Sequence, residues 1–323
     1  MSLKADERYY IKLKAAYYCL EKGMIQADVA EMLNVSRTTL NKLLKEAREE
    51  GIVKIEIVDR RNMKQTIILE DKLCERFHLQ AARVVNPIVG DAEEINRVLA
   101  VAGAQYIGNE IQSGMRIGIA WGRTLEMMSE LLTEDHTITG LEVITLLGGA
   151  GTADSIIQPG IIGERLLRKY GGTGYIINAP YICQTEELCA SIKQEPHIAD
   201  ALNRSKHADL TLIGIGEKPE LSTDYASYYR YSPEIINKLI ERKAVGDICA
   251  NFFDINGRLC DTPVSRRIVS INIEDLHSHK KVIALGGGPN KHDSVLGALN
   301  GGYVDVLITD QFTAEAVLER ANN

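Results

Sequence analysis

The sequence predicts an α/β chain in two parts: a small head of the winged helix-turn-helix type, and a larger body built on a Rossmann-like, mostly parallel sheet. Three observations predict it. Residues Gly23 to Glu50 carry two apolar stripes at helical spacing, separated by a turn. From Ala82 onward, short aliphatic runs alternate with helical stretches, the pattern of strands buried on both faces. At 323 residues the chain is also too long for one ordinary core.

In the head, Arg8 to Leu20 reads as a first helix that packs Ile11, Ala15, Tyr18 and Cys19 inward. Ile25, Val29 and Leu33 recur every four residues on a second, and Leu40, Leu43, Leu44 and Ala47 define a third. Asn34-Val35-Ser36 supplies the turn between them, with Ser36 as the N-cap whose hydroxyl accepts from a free backbone N–H. The third helix opens on Arg37, Thr38 and Thr39 and adds Asn41 and Lys42, donors of the kind a recognition helix presents to base edges in the major groove. The alternative is a helical hairpin inside a larger core. Gly51 fits a C-cap, and Ile52 to Val58 alternates as a strand, completing a winged head over residues 1–58. Asp59 to Asn62 reads as a polar hinge. Gln65 to His78 repeats Leu69, Leu73 and Phe77 on one face, so residues 59–81 form a linker with a helix that is either an inter-subunit seam or the first helix of the body.

The body, residues 82–323, opens on the strand Arg83-Val84-Val85 and a helix over 93–112. Strands follow at Met115–Ala120, Glu142–Leu147, Gly174–Ala179, Leu210–Ile215, Val282–Leu285 and Val304–Thr309, with helices over 124–132 and near 156–170. Asn256-Gly257 in the stretch Phe252 to Leu259 signals a hairpin turn.

Composition narrows the function. Six scattered cysteines without a C-x-x-C pair fit free thiols in a reducing compartment. The N-terminus lacks the apolar stretch of a signal peptide, and no apolar run reaches membrane-spanning length, so the expectation is a cytoplasmic protein with no membrane partner. The net charge of −7 is uneven: residues 1–58 hold ten Lys+Arg against nine Asp+Glu, leaving 27 against 35 for the rest. A near-neutral head still binds DNA when its cations share a face, whereas the acidic body repels it and suits a sensor.

In open parallel sheets, ligands bind beyond the carboxyl ends of the strands. Four glycine-bearing loops fall at such places. Ile119 to Leu125 carries Gly122 and Thr124, a hydroxyl at a helix start suited to phosphate. Leu147 to Thr152 carries Gly148, Gly149 and Thr152; Ala244 to Asp247 offers a carboxylate; and Leu285 to Lys291 ends a glycine turn on a lysine. Gly286 to Lys291 is not the G-x-x-x-x-G-K-[ST] loop, and no G-x-G-x-x-G fingerprint opens the body, so neither nucleotide hydrolysis nor NAD binding has support. His277-x-His279 lacks a third ligand nearby and reads as a solvated loop, so no metal is expected. His197 and His292-Asp293 fit surface or pocket-lining roles as well as catalytic ones.

Several of these stretches, in order, resemble the SorC family of sugar-binding transcriptional regulators along nearly the whole chain. They are RTTLNKLLKEAREEGIVKIEI, GIAWGRTL, ADLTLIGIG, AVGDICANFFDINGRL and GGGPNKHDSVLGALNGGYVDVLITDQFTAEAVL. The resemblance implies a helix-turn-helix head on an effector domain of the glucosamine-6-phosphate deaminase and ribose-5-phosphate isomerase type. It also implies a tetramer built as a dimer of dimers, bound to double-stranded operator DNA and controlled by a phosphorylated sugar or related metabolite. By position it places Gly122, Thr124, Gly148, Gly149 and Thr152 in effector loops, Asp247 and Lys291 on the family's acid and lysine, and Gln158 at a ligand-facing polar site. Some relatives carry a cation just before the paired glycines; here Leu147 stands there.

The expectation is therefore a regulator of a carbohydrate-utilisation operon, with no catalytic residue and no cofactor. The competing expectation is a sugar-phosphate isomerase or deaminase with an appended head. Isomerisation needs a general base beside the substrate carbon, and no acid/base pair in the sequence is spaced for that.

Overall fold

The computed structural model describes residues 3–56, 58–59, 63–88, 90–150, 158–220 and 231–322, with side chains from residue 6 onward. The chain divides into two compact units, residues 1–61 and 62–323.

The first unit holds helices α1 (Leu3–Ala16), α2 (Gln26–Met32) and α3 (Arg37–Glu49), with a π-turn over Tyr17–Glu21 after α1. Ala15, Ala16, Val29, Ala30, Leu40, Leu43 and Leu44 form its core. Asn34, with φ of 53°, turns the chain between α2 and α3. Ser36 Oγ then caps α3 by accepting from the Thr39 N–H at 3.0 Å. Arg8 pairs with Glu46 at 2.7 Å, and Lys12, itself buried, pairs with Glu50; both fasten α1 to α3. Ile25 does not join the buried stripe: it occupies the N-cap position of α2 and stays exposed.

The expected strand over Ile52 to Val58 is not formed by residues 52–56. The Val53 N–H donates back to the Ala47 carbonyl at 3.0 Å, which curls the chain around the end of α3. A lone alternating segment leaves its ladder groups unpaired, so alternation without a partner strand is insufficient.

The second unit begins with α4 (Lys64–Phe77), whose Leu69 and Leu73 lie in the main core of that unit. There follow β1 (Ala81–Val85), α5 (Ala92–Glu110), β2 (Arg116–Ile119), α6 (Arg123–Leu131), β3 (Glu142–Thr145), α7 (Pro159–Tyr170), β4 (Thr173–Tyr175), α8 (Glu186–Gln194), α9 (Pro196–Ser205) and β5 (Leu210–Gly214). The chain then runs through α10 (Pro233–Glu241), a hairpin of β6 (Gly246–Ile248) and β7 (Asn251–Phe253), β8 (Val282–Leu285), α11 (His292–Asn300), β9 (Val306–Asp310) and α12 (Gln311–Ala321).

Seven strands form one sheet in the order β1-β9-β8-β5-β2-β3-β4, and every pairing in it is parallel. The α/β, mostly parallel architecture expected from the aliphatic runs is the one found. Its central strands are buried along their length, Leu210, Leu212 and Ile213 in β5 and all four residues of β8 among them. From β2 the chain proceeds to β3 and β4 on one side, whereas from β5 it proceeds to β8 and β9 on the other. The sheet therefore reverses its winding between β2 and β5, and a crevice opens beyond their carboxyl ends. Asn256-Gly257 does sit in a turn, flanked by an antiparallel bridge between Phe253 and Leu259. The hairpin β6–β7 immediately before it was not apparent from the sequence.

His279, expected in a solvated loop, is buried at the opposite edge of the sheet, with Nδ1 2.7 Å from Thr211 Oγ1. Its Nε2 has no partner among the described residues. Burial holds the imidazole pKa below its ordinary value; His207 acts in the same direction, and Asp275 and Asp305 oppose it. The unfolded chain thus takes up this proton more readily, and stability falls as pH drops below about 6.5. Urea midpoints at about pH 7.5 and about pH 5.5 should differ more for the native chain than for His279→Gln. Equal differences would exclude this histidine as an acid-sensitive element.

Candidate functional site

The crevice between β2 and β5 gathers charge from four parts of the chain. After β5 come Ile215, Gly216 and Glu217; after β2 come Trp121, Gly122 and Arg123. Lys291 closes the glycine turn after β8, and its Nζ donates to the Ile215 carbonyl at 2.8 Å. Asp247 arrives on the β6–β7 hairpin, where its backbone carbonyl accepts from the Gly216 N–H at 2.8 Å. Burial lowers the Lys291 pKa, the carboxylates of Glu217 and Asp247 oppose that, and the Arg123 guanidinium adds to it. Lys291 thus lies within electrostatic reach of Arg123, Glu217 and Asp247 at the reversal point of a parallel sheet, which makes this crevice the candidate binding site.

Asp247 is only 2% exposed, and its Oδ2 accepts from the Ala250 N–H at 2.9 Å. That bond secures a two-residue turn in which Cys249 and Ala250 have φ of 52° and 61°. Left-handed conformations on such residues store strain that the surroundings must offset. One oxygen of Asp247 therefore has a structural task.

Around α6 the geometry departs from expectation. Gly122, with φ of 140°, lets the chain enter the helix, whose first N–H groups have no intrahelical acceptor. The Thr124 hydroxyl is committed elsewhere: it is buried and donates to Asn96 Oδ1 on α5 at 2.8 Å. A phosphate at this helix start meets backbone amides, not that hydroxyl.

Gly148 and Gly149 also serve a different purpose from an open cradle. The Gly148 N–H donates to Val269 O at 3.0 Å, and the Gly149 N–H donates to Ala179 O at 2.9 Å. A Cβ on Gly148 would stand 2.4 Å from the Ala179 carbonyl oxygen, and one on Gly149 would stand 2.1 Å from Gln158 Oε1. The pair is glycine because backbone and Gln158 close over it. Thr152 lies outside the described residues.

Beside these loops runs an aromatic wall, Trp121 to Tyr181 (4.6 Å between ring centroids), Tyr181 to Tyr231 (6.3 Å) and Tyr231 to Phe252 (5.8 Å). Tyr181, Tyr231 and Phe252 are buried in a small core cluster of their own, and of the four rings only Trp121 is partly exposed. Sequence reasoning missed this wall together with Arg123 and Glu217; the arginine follows Gly122 directly and was the readable signal. Among the described residues, no group of three or more His, Cys, Asp and Glu could hold a metal. In the other unit, Arg37, Thr38, Thr39, Asn41 and Lys42 are all exposed on the first turns of α3. The Thr39 hydroxyl is 2.8 Å from that of Ser36.

A model of the family described as "Putative sugar-binding domain" matches residues 61–319. The full-length sorbitol operon regulator SorC from Klebsiella pneumoniae superposes with a TM-score of 0.74 at 29% identity, over 97% of this chain and 99% of that one. The chain belongs to the SorC family of sugar-binding transcriptional regulators. The deoxyribonucleoside regulator of Bacillus subtilis is 28% identical to this SorC-family chain over 314 residues, covering 97% of it and 98% of the relative. An uncharacterised transcriptional regulator of Escherichia coli, YjhU, is 30% identical, with 95% and 93% covered. These relatives are named as regulators, not as enzymes. No helix among the described residues is long and apolar enough to cross a membrane.

The two glycines should respond differently to a methyl group. Gly148→Ala drives a Cβ into backbone and should cost about 1–3 kcal/mol, measured by urea unfolding. Gly149→Ala meets the flexible end of Gln158 and should cost less; the reverse order would contradict the packing described.

Proposed function

We propose that this SorC-family regulator binds double-stranded operator DNA through α3 and sets its affinity by binding a phosphorylated sugar, or a related metabolite, in the β2–β5 crevice. The observation that carries the reading is the cluster of Lys291, Arg123, Glu217 and Asp247 at the point where the sheet reverses its winding. The phosphate lies against the first amides of α6, with Arg123 and Lys291 as counter-charges. Glu217 and Asp247 accept from sugar hydroxyls, and the partly exposed ring of Trp121 covers the apolar face of the sugar. Gly122 provides the approach to the helix. Gly148, Gly149 and Gln158 shape the adjoining loop, and Thr124 anchors α6 to α5. Regulation of a carbohydrate-utilisation operon agrees with relatives named for sorbitol and deoxyribonucleosides.

Sugar binding changes DNA binding as a coupling free energy between the two sites. A reader of two half-sites needs paired recognition helices about one DNA turn apart, so the working assembly is a homo-oligomer. A tetramer formed as a dimer of dimers is the form we propose, in the cytoplasm and with no cofactor beyond the effector.

Two variants test the division of labour by fluorescence anisotropy on DNA from upstream of the protein's own operon. The panel contains ribose 5-phosphate, deoxyribose 5-phosphate, sorbitol 6-phosphate, glucosamine 6-phosphate and the parent sugars. Arg37→Ala should weaken specific binding by about tenfold or more and leave the ester's binding to free protein unchanged. Lys291→Ala should keep operator affinity and lose the shift that the ester produces. An intact ester response in Lys291→Ala would remove the lysine from the site, and loss of both functions in Arg37→Ala would mean that α3 is not a dedicated reader.

A further inference from the structure

The loop carrying Lys291 is held from behind by a carboxylate. Asp310 ends β9, is fully buried and caps α12 by accepting from the Thr313 N–H through Oδ1 at 2.9 Å. Its other oxygen, Oδ2, accepts from the Gly288 N–H at 2.8 Å and from the Thr313 hydroxyl at 2.6 Å. The Gly288 N–H is shared with Thr313 Oγ1, 2.9 Å away. Gly287 has no room for a side chain, since a Cβ there would stand 2.3 Å from Asp310 Oδ2. Gly288 then takes φ of 107°, and its carbonyl accepts from the Lys291 N–H at 3.0 Å, closing the turn that aims the lysine.

Capping alone does not require this arrangement. One side-chain oxygen suffices for an N-cap, and Ser36 caps α3 with a hydroxyl. A buried carboxylate is tolerated only when its lone pairs are occupied; here the second oxygen is occupied by the glycine loop and by the hydroxyl that braces it. Thr313 is fully buried too, so its hydroxyl has no solvent alternative.

We infer that Asp310 and Thr313 are positioning residues for the effector site, holding the Gly286–Lys291 loop so that the Lys291 ammonium meets the Ile215 carbonyl beside Asp247. The inference rests on the effector-site reading above and adds to it two residues that act through Lys291. It also explains why position 287 is a glycine, since Asp310 occupies the space a side chain there would need.

Asp310→Asn is the informative variant. Asparagine is as good an N-cap as aspartate, so α12 keeps its cap. Its amide NH2, however, then faces the Gly288 N–H, donor against donor, and the Thr313 hydroxyl loses the carboxylate to which it donates. Thr313→Val removes the shared hydroxyl, and Thr313→Ser retains it. Amide hydrogen exchange on the full chain should speed up over residues 286–291 by about tenfold in Asp310→Asn, the scale of one lost hydrogen bond to a charged group. Thr313→Val should move in the same direction, Thr313→Ser should match the native chain, and β2, β5 and the first unit should be unchanged in all three. In the anisotropy assay with the same four esters, Asp310→Asn should require about tenfold more ester for the same shift while operator affinity without ester stays native.

Native exchange over 286–291 in Asp310→Asn would overturn the inference. So would faster exchange spread evenly over the sheet, which would mark a general stability role. If Lys291→Ala loses the ester response and Asp310→Asn keeps it in full, the positioning inference fails and the site reading stands. If Lys291→Ala keeps that response, the site reading fails and the inference falls with it.

Discussion

Parallel pairing is the constraint on which the second unit depends. Because β5 pairs in parallel with both β2 and β8, the chain leaves all three strands at the same edge, and residues far apart in sequence are delivered to one crevice. Ile215, Gly216 and Glu217 follow β5, Trp121 to Arg123 follow β2, and Gly286 to Lys291 follow β8. Antiparallel pairing at any of these places would send one loop to the opposite edge. The strands meet that demand with aliphatic side chains on both faces, which leaves polar chemistry to the loops.

Those loops are rigid for different reasons. The Lys291 loop is tied to Asp310 through the Gly288 N–H, and the Asp247 hairpin is tied to its own turn through Ala250. The Gly148–Gly149 loop is held by the backbone of Val269 and Ala179. A binding group on a braced loop loses little freedom when its ligand arrives, so more of the contact energy appears as affinity.

Local features of the sequence were legible and long-range ones were not. The Ser36 cap, the buried faces of α3 and α4 and the alternation of strand and helix all follow from residues within a few positions of each other. The strand misread over Ile52 to Val58 shows the limit, since alternation says nothing about whether a partner strand exists. Thr124 was read as a phosphate contact because it opens a helix, but its direction is set by Asn96, 28 residues earlier. Gly148 and Gly149 were read as effector-loop glycines, but what approaches them is Ala179 and Gln158. Lys291 and Asp247 were legible from their glycine-bearing loops and again from resemblance, and both bond to the segment that follows β5. Glu217 and Asp310 were missed because the groups that give them meaning lie on other strands.

The central claim is that a sugar-phosphate site in one unit and a DNA reader in the other share a coupling free energy. Linkage makes this testable without any variant: the factor by which a saturating ester changes operator affinity must equal the factor by which saturating operator changes ester affinity. Calorimetric titration of the ester into the protein, with and without operator, supplies the second factor, and anisotropy with and without ester supplies the first. Two equal factors different from one are expected, with the unphosphorylated parent sugar giving no change in either. An ester that binds with the same affinity whether or not operator is present would contradict it.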